Sequence, residues 1–405
     1  MNDFRIAAIP PLTTCPEMDL FGDTQALETI ASHRSFADLY APTPLRRLAA
    51  LAETLGLGGV YLKDESYRFG LNAFKALGGS YAIGRHLAET LGIAPQNMTL
   101  DRLTAPDVKR QLGEITFCTA TDGNHGRGVA WTARVLQQKC VVYMPKGSAQ
   151  ERVSNIRAQG ATVIVTDVPY DDTVRLARET AQKNGWITVQ DTAWEGYTDI
   201  PLHIMQGYLT MAYEAYRQLD DIKPTHIFLQ AGVGSMAGAV AALFKNLLGK
   251  DAPTIVIVEP HAADCHFRSA AAGDGSIQIT PGDLNTIMAG LACGEPNPIS
   301  WSLMRTSAHY CLSVPEYAAA DGMRVLASPI GNDPRVTSGE SGASAFGAVY
   351  ELMARNELSS LREQIGLNKQ SQVLLFSTEG ATDRENYRKV VWEGSFPAPQ
   401  RQEQR

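Results

Sequence analysis

Strand-like and helix-like segments alternate along most of this 405-residue chain, and this alternation limits its possible folds more than any other feature. Amphipathic segments such as 151–160 and 171–185 favour helices, and Gly160 and Gly185 stand where those helices should end. The alternation predicts parallel sheets with helices on both faces, an α/β fold that binds ligands beyond the carboxyl ends of its strands. The candidate strands are 58–63, 114–120, 139–144, 161–166, 186–190, 225–230, 254–259 and 372–378.

Charge and cysteine content exclude several classes of protein. The chain has 36 Lys and Arg against 43 Asp and Glu, a net charge of −7, which argues against nucleic acid or an anionic membrane as a partner. Its six cysteines form no CxxC pair. We therefore predict no metal site and no dense disulfide framework, and the reducing cytoplasm is the expected location. A bond between Cys265 and Cys293 stays open beside two free thiols, which that compartment favours.

Residues 227–244 form an uncharged and mostly apolar run. A transmembrane helix needs about 20 apolar residues. Gln230 and Ser235 interrupt this shorter run, and its glycines gather at one turn. We therefore predict a strand, a tight turn and a buried helix here, and no membrane partner.

The turn in this segment, "LQAGVGSMAG", is typical of an anion-binding loop. Gly232 and Gly234 allow backbone N–H groups to crowd around an anion, and the helix that follows adds its dipole. Phosphate binding is the first interpretation. The same letters fit the dinucleotide pattern G-x-G-x-x-A, with Glu259 at the end of the next strand for a ribose, so a nicotinamide-dependent dehydrogenase is an alternative. A tight turn without a ligand is the third interpretation.

A second segment, "NAFKALGGS", contains Lys75. A deprotonated lysine forms a Schiff base with a carbonyl cofactor. The apolar neighbours Phe74, Ala76 and Leu77 are expected to favour the neutral amine. On this segment alone, a solvated lysine at the start of a helix is the simpler interpretation.

A third segment, "TATDGNHGRG", places Thr121, Asp122 and Asn124 where a strand changes to a helix. Thr121 and the N–H groups of the turn suit a carboxylate, and Asn124 suits an oxygen on a cofactor ring. The same letters suit a simple turn in which Asp122 caps the helix. Both interpretations stay open at this point.

Polar side chains also follow two other predicted strands. Ser377 and Thr378 end the strand 372–378, where a hydroxyl can meet a pyridine nitrogen or bond to the local backbone. Asp191 follows the strand 186–190, either as a cap or as a catalytic group. Each residue has an ordinary structural interpretation beside the functional one.

Taken together, these motifs resemble the fold-type II pyridoxal-phosphate enzymes, the tryptophan synthase β-like group. The order is that of the group: a lysine segment, a "GNHG" turn, a glycine phosphate loop and a late Ser/Thr strand end. The resemblance covers nearly the whole chain, and "ATDGNHGRG" and "DTAWEGYTDIP" are its most specific segments. It implies two open, twisted, mostly parallel α/β domains with the active site between them. The large cofactor-binding domain would comprise residues 1–112 and 205–405, and the small domain residues 113–204.

The resemblance also implies the cofactor, pyridoxal 5'-phosphate, and its contacts. Lys75 would form a Schiff base with it, Asn124 would bond its phenolic oxygen, and Ser377 or Thr378 would meet its ring nitrogen. The loop expected to hold its phosphate consists of Gly232, Val233, Gly234, Ser235 and Met236. The residues expected to contact an amino-acid substrate are Thr121, Asp122, His125 and Asp191.

Within the group, the chain resembles the branch that acts on 2,3-diaminopropionate. This implies α,β-elimination of the D- and L-isomers to pyruvate and two molecules of ammonia, by a homodimer. Members that act on serine or threonine usually have Ser where Asp122 stands, so Asp122 is expected to be a second base, for the D-isomer, while Lys75 serves the other isomer. Asp191 is expected to pair with the second ammonium of the substrate. A serine or threonine dehydratase is the alternative within this fold.

Overall fold

The computed structural model describes residues 3–36, 39–121 and 123–400, which form two β-sheets and the helices that cover them. The strands are β1 (Arg5–Ala8), β2 (Leu45–Arg47), β3 (Gly59–Asp64), β4 (Thr116–Ala120), β5 (Lys139–Met144), β6 (Thr162–Val165), β7 (Ile187–Thr188), β8 (His226–Gln230), β9 (Thr254–Pro260), β10 (Tyr310–Val314) and β11 (Gln372–Ser377).

The helices stand mostly between successive strands. The α-helices are α1 (Asp23–Arg34), α2 (Ala49–Leu55), α3 (Ala76–Thr90), α4 (Leu100–Leu103), α5 (Pro106–Leu112), α6 (Asn124–Val135), α7 (Gln150–Arg157), α8 (Tyr170–Asn184), α9 (Asp199–Gly207), α10 (Leu209–Gln218), α11 (Ser235–Leu248), α12 (Cys265–Ala272), α13 (Pro298–Ser307), α14 (Glu316–Ala327), α15 (Glu340–Ala354), α16 (Ser359–Ile365) and α17 (Arg384–Val391). Short 3-10 helices lie at Pro16–Phe21, Glu65–Gly70, Pro95–Asn97, Gly249–Asp251, His261–Ala263, Ala289–Leu291 and Asn356–Leu358.

The larger sheet has the strand order β1-β10-β9-β8-β11-β3-β2. Its five inner strands pair in parallel, and only the edge strands β1 and β2 are antiparallel to their neighbours. The smaller sheet, β6-β5-β4-β7, is parallel throughout. The predicted α/β fold with two open, mostly parallel sheets is confirmed. The four strands of the smaller sheet lie between residues 116 and 188, and the domain limits stay a prediction.

The inner strands of the larger sheet are buried on both faces. In β8, Ile227 and Leu229 belong to one apolar core and Phe228 to a second. Successive side chains of a strand point to opposite faces, so these two cores lie on opposite sides of the sheet. Covered faces explain why β8 reads as a continuous apolar run rather than an alternating one.

The eight strands predicted from the sequence are all present, displaced at their ends by at most two residues. The apolar run 227–244 divides as expected into β8, a turn at Gly232 to Gly234, and the buried helix α11. No helix within residues 3–36, 39–121 and 123–400 has both the length and the apolar character needed to cross a bilayer.

Three strands were not predicted. The edge strands β1 and β2 have four and three residues and are only partly buried, so they lack the apolar run that identifies the inner strands. The buried strand β10 reads YCLSV and pairs with β9 and β1. Its cysteine and serine interrupt the β-branched pattern, although its side chains are buried in the cores on both faces of the sheet.

Candidate active site

A cavity lies between the two sheets, where chain segments leave the carboxyl ends of β4, β8 and β11. It contains about 690 Å³ of space free of protein atoms, open solvent at its mouth included. The predicted site residues that line it are Lys75, Thr121, Asn124, His125, Asp191, Gly232, Val233, Gly234, Ser235, Met236 and Thr378. The structure therefore brings together segments that are far apart in the sequence.

Lys75 lies directly before α3, and its Nζ donates to Asp191 Oδ2 over 2.5 Å. Burial by itself lowers the pKa of Lys75, but the charge of Asp191 outweighs it and holds that pKa above its ordinary value. The expectation that apolar neighbours keep the amine neutral is therefore wrong, because it omitted a carboxylate from another part of the chain. Burial raises the pKa of Asp191, and the Lys75 ammonium overcomes this effect and lowers it to about 2.

His125 lies beside this ion pair, in the first turn of α6. Its Nε2 lies 2.8 Å from the carbonyl of Val189, so Nε2 carries the proton. Burial lowers the pKa of His125 even though Asp191 opposes the effect. Nδ1, 3.9 Å from Asp191 Oδ2, therefore keeps a lone pair, and it has no hydrogen-bond partner among the described residues. His125 can accept a proton donor of a ligand at this atom.

The turn before α6 is held by Thr121, whose Oγ1 accepts from the backbone N–H groups of Gly123 and Gly126 over 2.9 and 3.1 Å. The hydroxyl proton of Thr121 remains available to the cavity, as a carboxylate contact requires. Asp122 lies outside the described residues, so both its predicted role as a base and its alternative role as a helix cap stay predictions. Thr121 satisfies two of the N–H groups that a cap would take.

Asn124 begins α6 and donates from Nδ2 to Glu379 Oε2 over 2.5 Å. The other oxygen of Glu379 accepts from the backbone N–H of Ser341, and Thr382 Oγ1 donates to Oε2. This carboxylate fixes the orientation of the Asn124 amide. The second Nδ2 proton of Asn124 is then free for an oxygen of a bound cofactor, the contact predicted for this residue.

The glycine loop leaves β8 and opens α11. Gly234 has φ +92°, in the left-handed region, and a Cβ there would lie 2.4 Å from His266 Nε2. A Cβ on Gly232 would lie 3.1–3.2 Å from atoms of Gly290 and Cys293, which also line the cavity. Position 234 therefore needs glycine, and a side chain at position 232 would have to displace its neighbours by a few tenths of an ångström. The N–H groups of the first turn of α11 have no partner within the helix and lie at the positive end of its dipole.

Thr378, and not Ser377, lines the cavity. Ser377 is fully buried, and its Oγ donates to Ser338 Oγ over 2.8 Å. Thr378 Oγ1 accepts from Gln230 Nε2 over 2.9 Å. The sequence left open which of these two hydroxyls meets the ring nitrogen of the cofactor. Their positions favour Thr378.

Glu259, the acid of the dinucleotide alternative, is not in the cavity. It is fully buried, and its two oxygens accept from the backbone N–H groups of His266 and Phe267 and from His266 Nδ1. A carboxylate occupied in this way at the start of α12 cannot bind a ribose, so the dehydrogenase interpretation is wrong. Cys265 and Cys293 form no disulfide bond; the first is buried and the second partly exposed.

The cavity fits pyridoxal phosphate on its own geometry. The loop from Gly232 to Met236 lines the cavity and offers N–H groups at the start of a helix, where an anion is favoured. Lys75 projects into the same cavity and can bind an aldehyde carbon covalently. A phosphate cradle and a lysine in one cavity are the two parts that this cofactor requires.

Comparison with known proteins decides the family. The family model "Pyridoxal-phosphate dependent enzyme" matches residues 36–365. Diaminopropionate ammonia-lyase of Escherichia coli K12 is 51% identical over 378 residues, covering 93% of each chain. The chain belongs to the diaminopropionate ammonia-lyases. The Salmonella typhimurium member of this family is 50% identical over 371 residues, covering 91% of this chain and 92% of the relative.

Solved structures agree with this assignment. The Escherichia coli diaminopropionate ammonia-lyase in complex with an aminoacrylate-PLP azomethine reaction intermediate has a TM-score of 0.88 and 48% identity, covering 97% of both chains. Threonine deaminase isoform 2 of Solanum lycopersicum has a TM-score of 0.71 at 19% identity and covers 96% of this chain and 97% of its own. This second likeness concerns the fold alone. The resemblance read from the sequence is confirmed, together with pyridoxal phosphate as the cofactor of this ammonia-lyase family.

Several residues of the ammonia-lyase site were missed by the sequence analysis. Glu379 holds Asn124, Gln230 holds Thr378, and Tyr208 places its ring 5.9 Å from Lys75 Nζ. Glu379 and Gln230 lie at or just beyond the carboxyl ends of β11 and β8. Because ligands bind at such ends, this position could have identified both residues from the sequence. Tyr208 lies between α9 and α10 and gave no signal.

Proposed function

We propose that this chain eliminates both amino groups of 2,3-diaminopropionate as ammonia, consuming one water molecule and leaving pyruvate. The observation that carries the proposal is the Asp191 carboxylate, 2.5 Å from Lys75 Nζ in the cavity that also contains the glycine loop. Lys75 would hold the cofactor, and the Asp191 carboxylate would then be available to a cation of the substrate. A substrate with a second ammonium restores the pair, whereas the hydroxyl of serine or threonine does not.

Pyridoxal phosphate, when bound, supplies the electron sink that stabilises the charge left on the α-carbon after proton loss. Lys75 holds the cofactor and, when released, removes the α-proton of one isomer. Asp122 removes the α-proton of the D-isomer, a role that rests on the sequence and on its place between Thr121 and Asn124. Both groups act as general bases, whose contribution is about 10²–10⁴-fold in rate.

Asp191 binds the β-ammonium of the substrate and keeps it protonated, because a primary amine leaves readily only as ammonia from the charged form. His125 accepts a further hydrogen bond at Nδ1, whose lone pair has no partner among the described residues. Thr121 donates its hydroxyl to the substrate carboxylate. The site therefore has separate contacts for the anionic and the cationic ends of one small amino acid.

We also infer that the enzyme works as a cytoplasmic homodimer. The state of assembly rests on the family resemblance, and the compartment is supported by six cysteines that form no disulfide bond.

The test is a substrate panel with the purified holoenzyme. Pyruvate and ammonia are measured from D- and L-diaminopropionate, serine and threonine. We expect two ammonia per pyruvate from diaminopropionate and a kcat/KM for serine and threonine that is lower by about 10- to 150-fold, since a charge-assisted contact contributes about 1.5–3 kcal/mol. Faster turnover of serine or threonine would establish the dehydratase alternative instead.

A further inference from the structure

Gln230 is a buried residue at the last position of β8, and its amide has a single possible orientation. Nε2 lies 2.8 Å from the backbone carbonyl of Phe376 and 2.9 Å from Thr378 Oγ1. A carbonyl oxygen only accepts, so the atom facing Phe376 must be the amide nitrogen. Both amide protons are therefore committed, one to the carbonyl and one to the threonine hydroxyl.

This arrangement determines what the Thr378 hydroxyl can do. Its oxygen accepts a hydrogen bond from Gln230 Nε2, and this is the bond that the described residues make to this hydroxyl. The hydroxyl proton of Thr378 therefore remains available to donate, and Thr378 lines the same cavity as Lys75. A hydroxyl that accepts on one side donates on the other, and such a donor suits a ring nitrogen with a lone pair, not a protonated one.

Resting on the proposed function, we propose that Gln230 is a positioning residue that keeps Thr378 a hydrogen-bond donor to the ring nitrogen of the cofactor and so keeps that nitrogen unprotonated. An unprotonated ring withdraws electrons less strongly, which suits elimination over transamination. Gln230 itself takes no part in bond making. Its effect passes through the direction of one hydroxyl proton.

The strands make this coupling rigid. β8 and β11 are parallel neighbours, paired from His226 with Val373 to Phe228 with Leu375. Gln230 ends the first strand and Thr378 directly follows the second, so backbone hydrogen bonds fix the separation of the two side chains. Gln230 is 2% exposed and Thr378 4% exposed, so water does not compete for the bond.

The experiment uses holoenzyme loaded with pyridoxal 5'-phosphate carrying ¹⁵N in the ring, and follows the ¹⁵N resonance against pH. In the unmodified protein we expect a resonance of neutral, hydrogen-bonded pyridine that does not titrate between mildly acidic and mildly basic pH. Gln230→Glu replaces the donor by an acceptor that draws the Thr378 proton away, so its resonance should shift and titrate. The resonance of Thr378→Val, which lacks the donor, should also shift and titrate. Thr378→Ser keeps a hydroxyl, so its resonance should behave as in the unmodified protein.

Gln206→Glu is the matched control, since Gln206 is another buried glutamine but lies in α9 away from the cavity lining. We expect it to lower the melting temperature without changing the ¹⁵N titration. If Gln230→Glu does not fold, Gln230→Met is the second variant. It removes the amide donor at similar volume, so its ¹⁵N resonance should also titrate.

Two results would overturn the positioning role: a protonated ring nitrogen in the unmodified enzyme, or Gln230 variants with an unchanged resonance. If labelled cofactor binds but diaminopropionate releases no pyruvate, the proposed substrate fails while the ¹⁵N result still decides on Gln230. If no labelled cofactor binds, both proposals fail.

Discussion

Lys75 Nζ and Asp191 Oδ2 are 2.5 Å apart, although 116 positions separate the two residues in the sequence. The Asp191 side chain is 5% exposed, and its charge keeps the pKa of Lys75 above the ordinary lysine value despite burial. The amine is thus stored as an ammonium and must lose a proton before it can bind an aldehyde. If Lys75 binds an aldehyde, the Asp191 carboxylate would become available to the second ammonium of the proposed substrate.

Replacing Lys75 should abolish covalent attachment of the cofactor. Lys75→Ala is expected to lose the visible absorbance of bound pyridoxal phosphate and to release no measurable pyruvate. In the unmodified protein, borohydride reduction followed by peptide mapping should place the label on Lys75. Recovery of the label on Lys63, which is also buried but pairs with Glu214, would show that the wrong lysine has been assigned.

Replacing Asp122 should separate the two substrate isomers. Asp122→Asn removes the proposed base for the D-isomer, so turnover of D-diaminopropionate should fall by about 10²–10⁴-fold, the range for loss of a general base. L-diaminopropionate should keep most of its rate because Lys75 serves that isomer. The measurement is kcat for each pure isomer, and equal losses on both would contradict the two-base mechanism.

Replacing Gly234 should weaken cofactor binding. Gly234→Ala adds a Cβ 2.4 Å from His266 Nε2 at φ +92°, and such backbone strain costs about 1–3 kcal/mol. The dissociation constant for pyridoxal phosphate should therefore rise by about tenfold or more. Gly249→Ala is the control, since Gly249 follows the other end of α11 at φ +55° with open space around it. Similar loss of cofactor affinity in both variants would contradict the role of the loop.

Glu340 should make stability depend on pH. Burial, and then the charge of nearby Glu379, raise the pKa of Glu340 to about 7 from its ordinary 4.5. A raised carboxyl pKa contributes stability that is present below 4.5 and is lost as pH rises through 7. Glu340→Gln stays neutral, so its free energy of unfolding relative to the unmodified protein should rise by on the order of 3 kcal/mol from acidic to basic pH.

The measurement is denaturant unfolding across that pH interval, with Glu53→Gln as the exposed control on α2. A difference that stays flat with pH for Glu340→Gln would show that this carboxyl titrates normally.

Local sequence predicted the parts of the molecule that have a local cause. Four of the five inner strands of the larger sheet carry recognisable apolar runs because both of their faces are buried, and the glycine loop was recognisable because Gly234 needs a left-handed backbone. The partners of the predicted residues could not be found in this way. Glu379 reaches Asn124 across 255 positions, and Gln230 reaches Thr378 across 148. Such pairs depend on the order of the strands in the sheet, which cannot be read from a single sequence.

In the proposed function, Asp191 is the group that selects a substrate with a second ammonium. The most direct measurement is the ratio of kcat/KM for diaminopropionate to kcat/KM for serine, in the unmodified enzyme and in Asp191→Asn. Asp199→Asn, an exposed acid at the start of α9, is the control and should leave the ratio unchanged. We predict that Asp191→Asn lowers the ratio by about 100-fold, the equivalent of about 3 kcal/mol for a lost charged contact. A ratio that stays the same in Asp191→Asn would contradict the account.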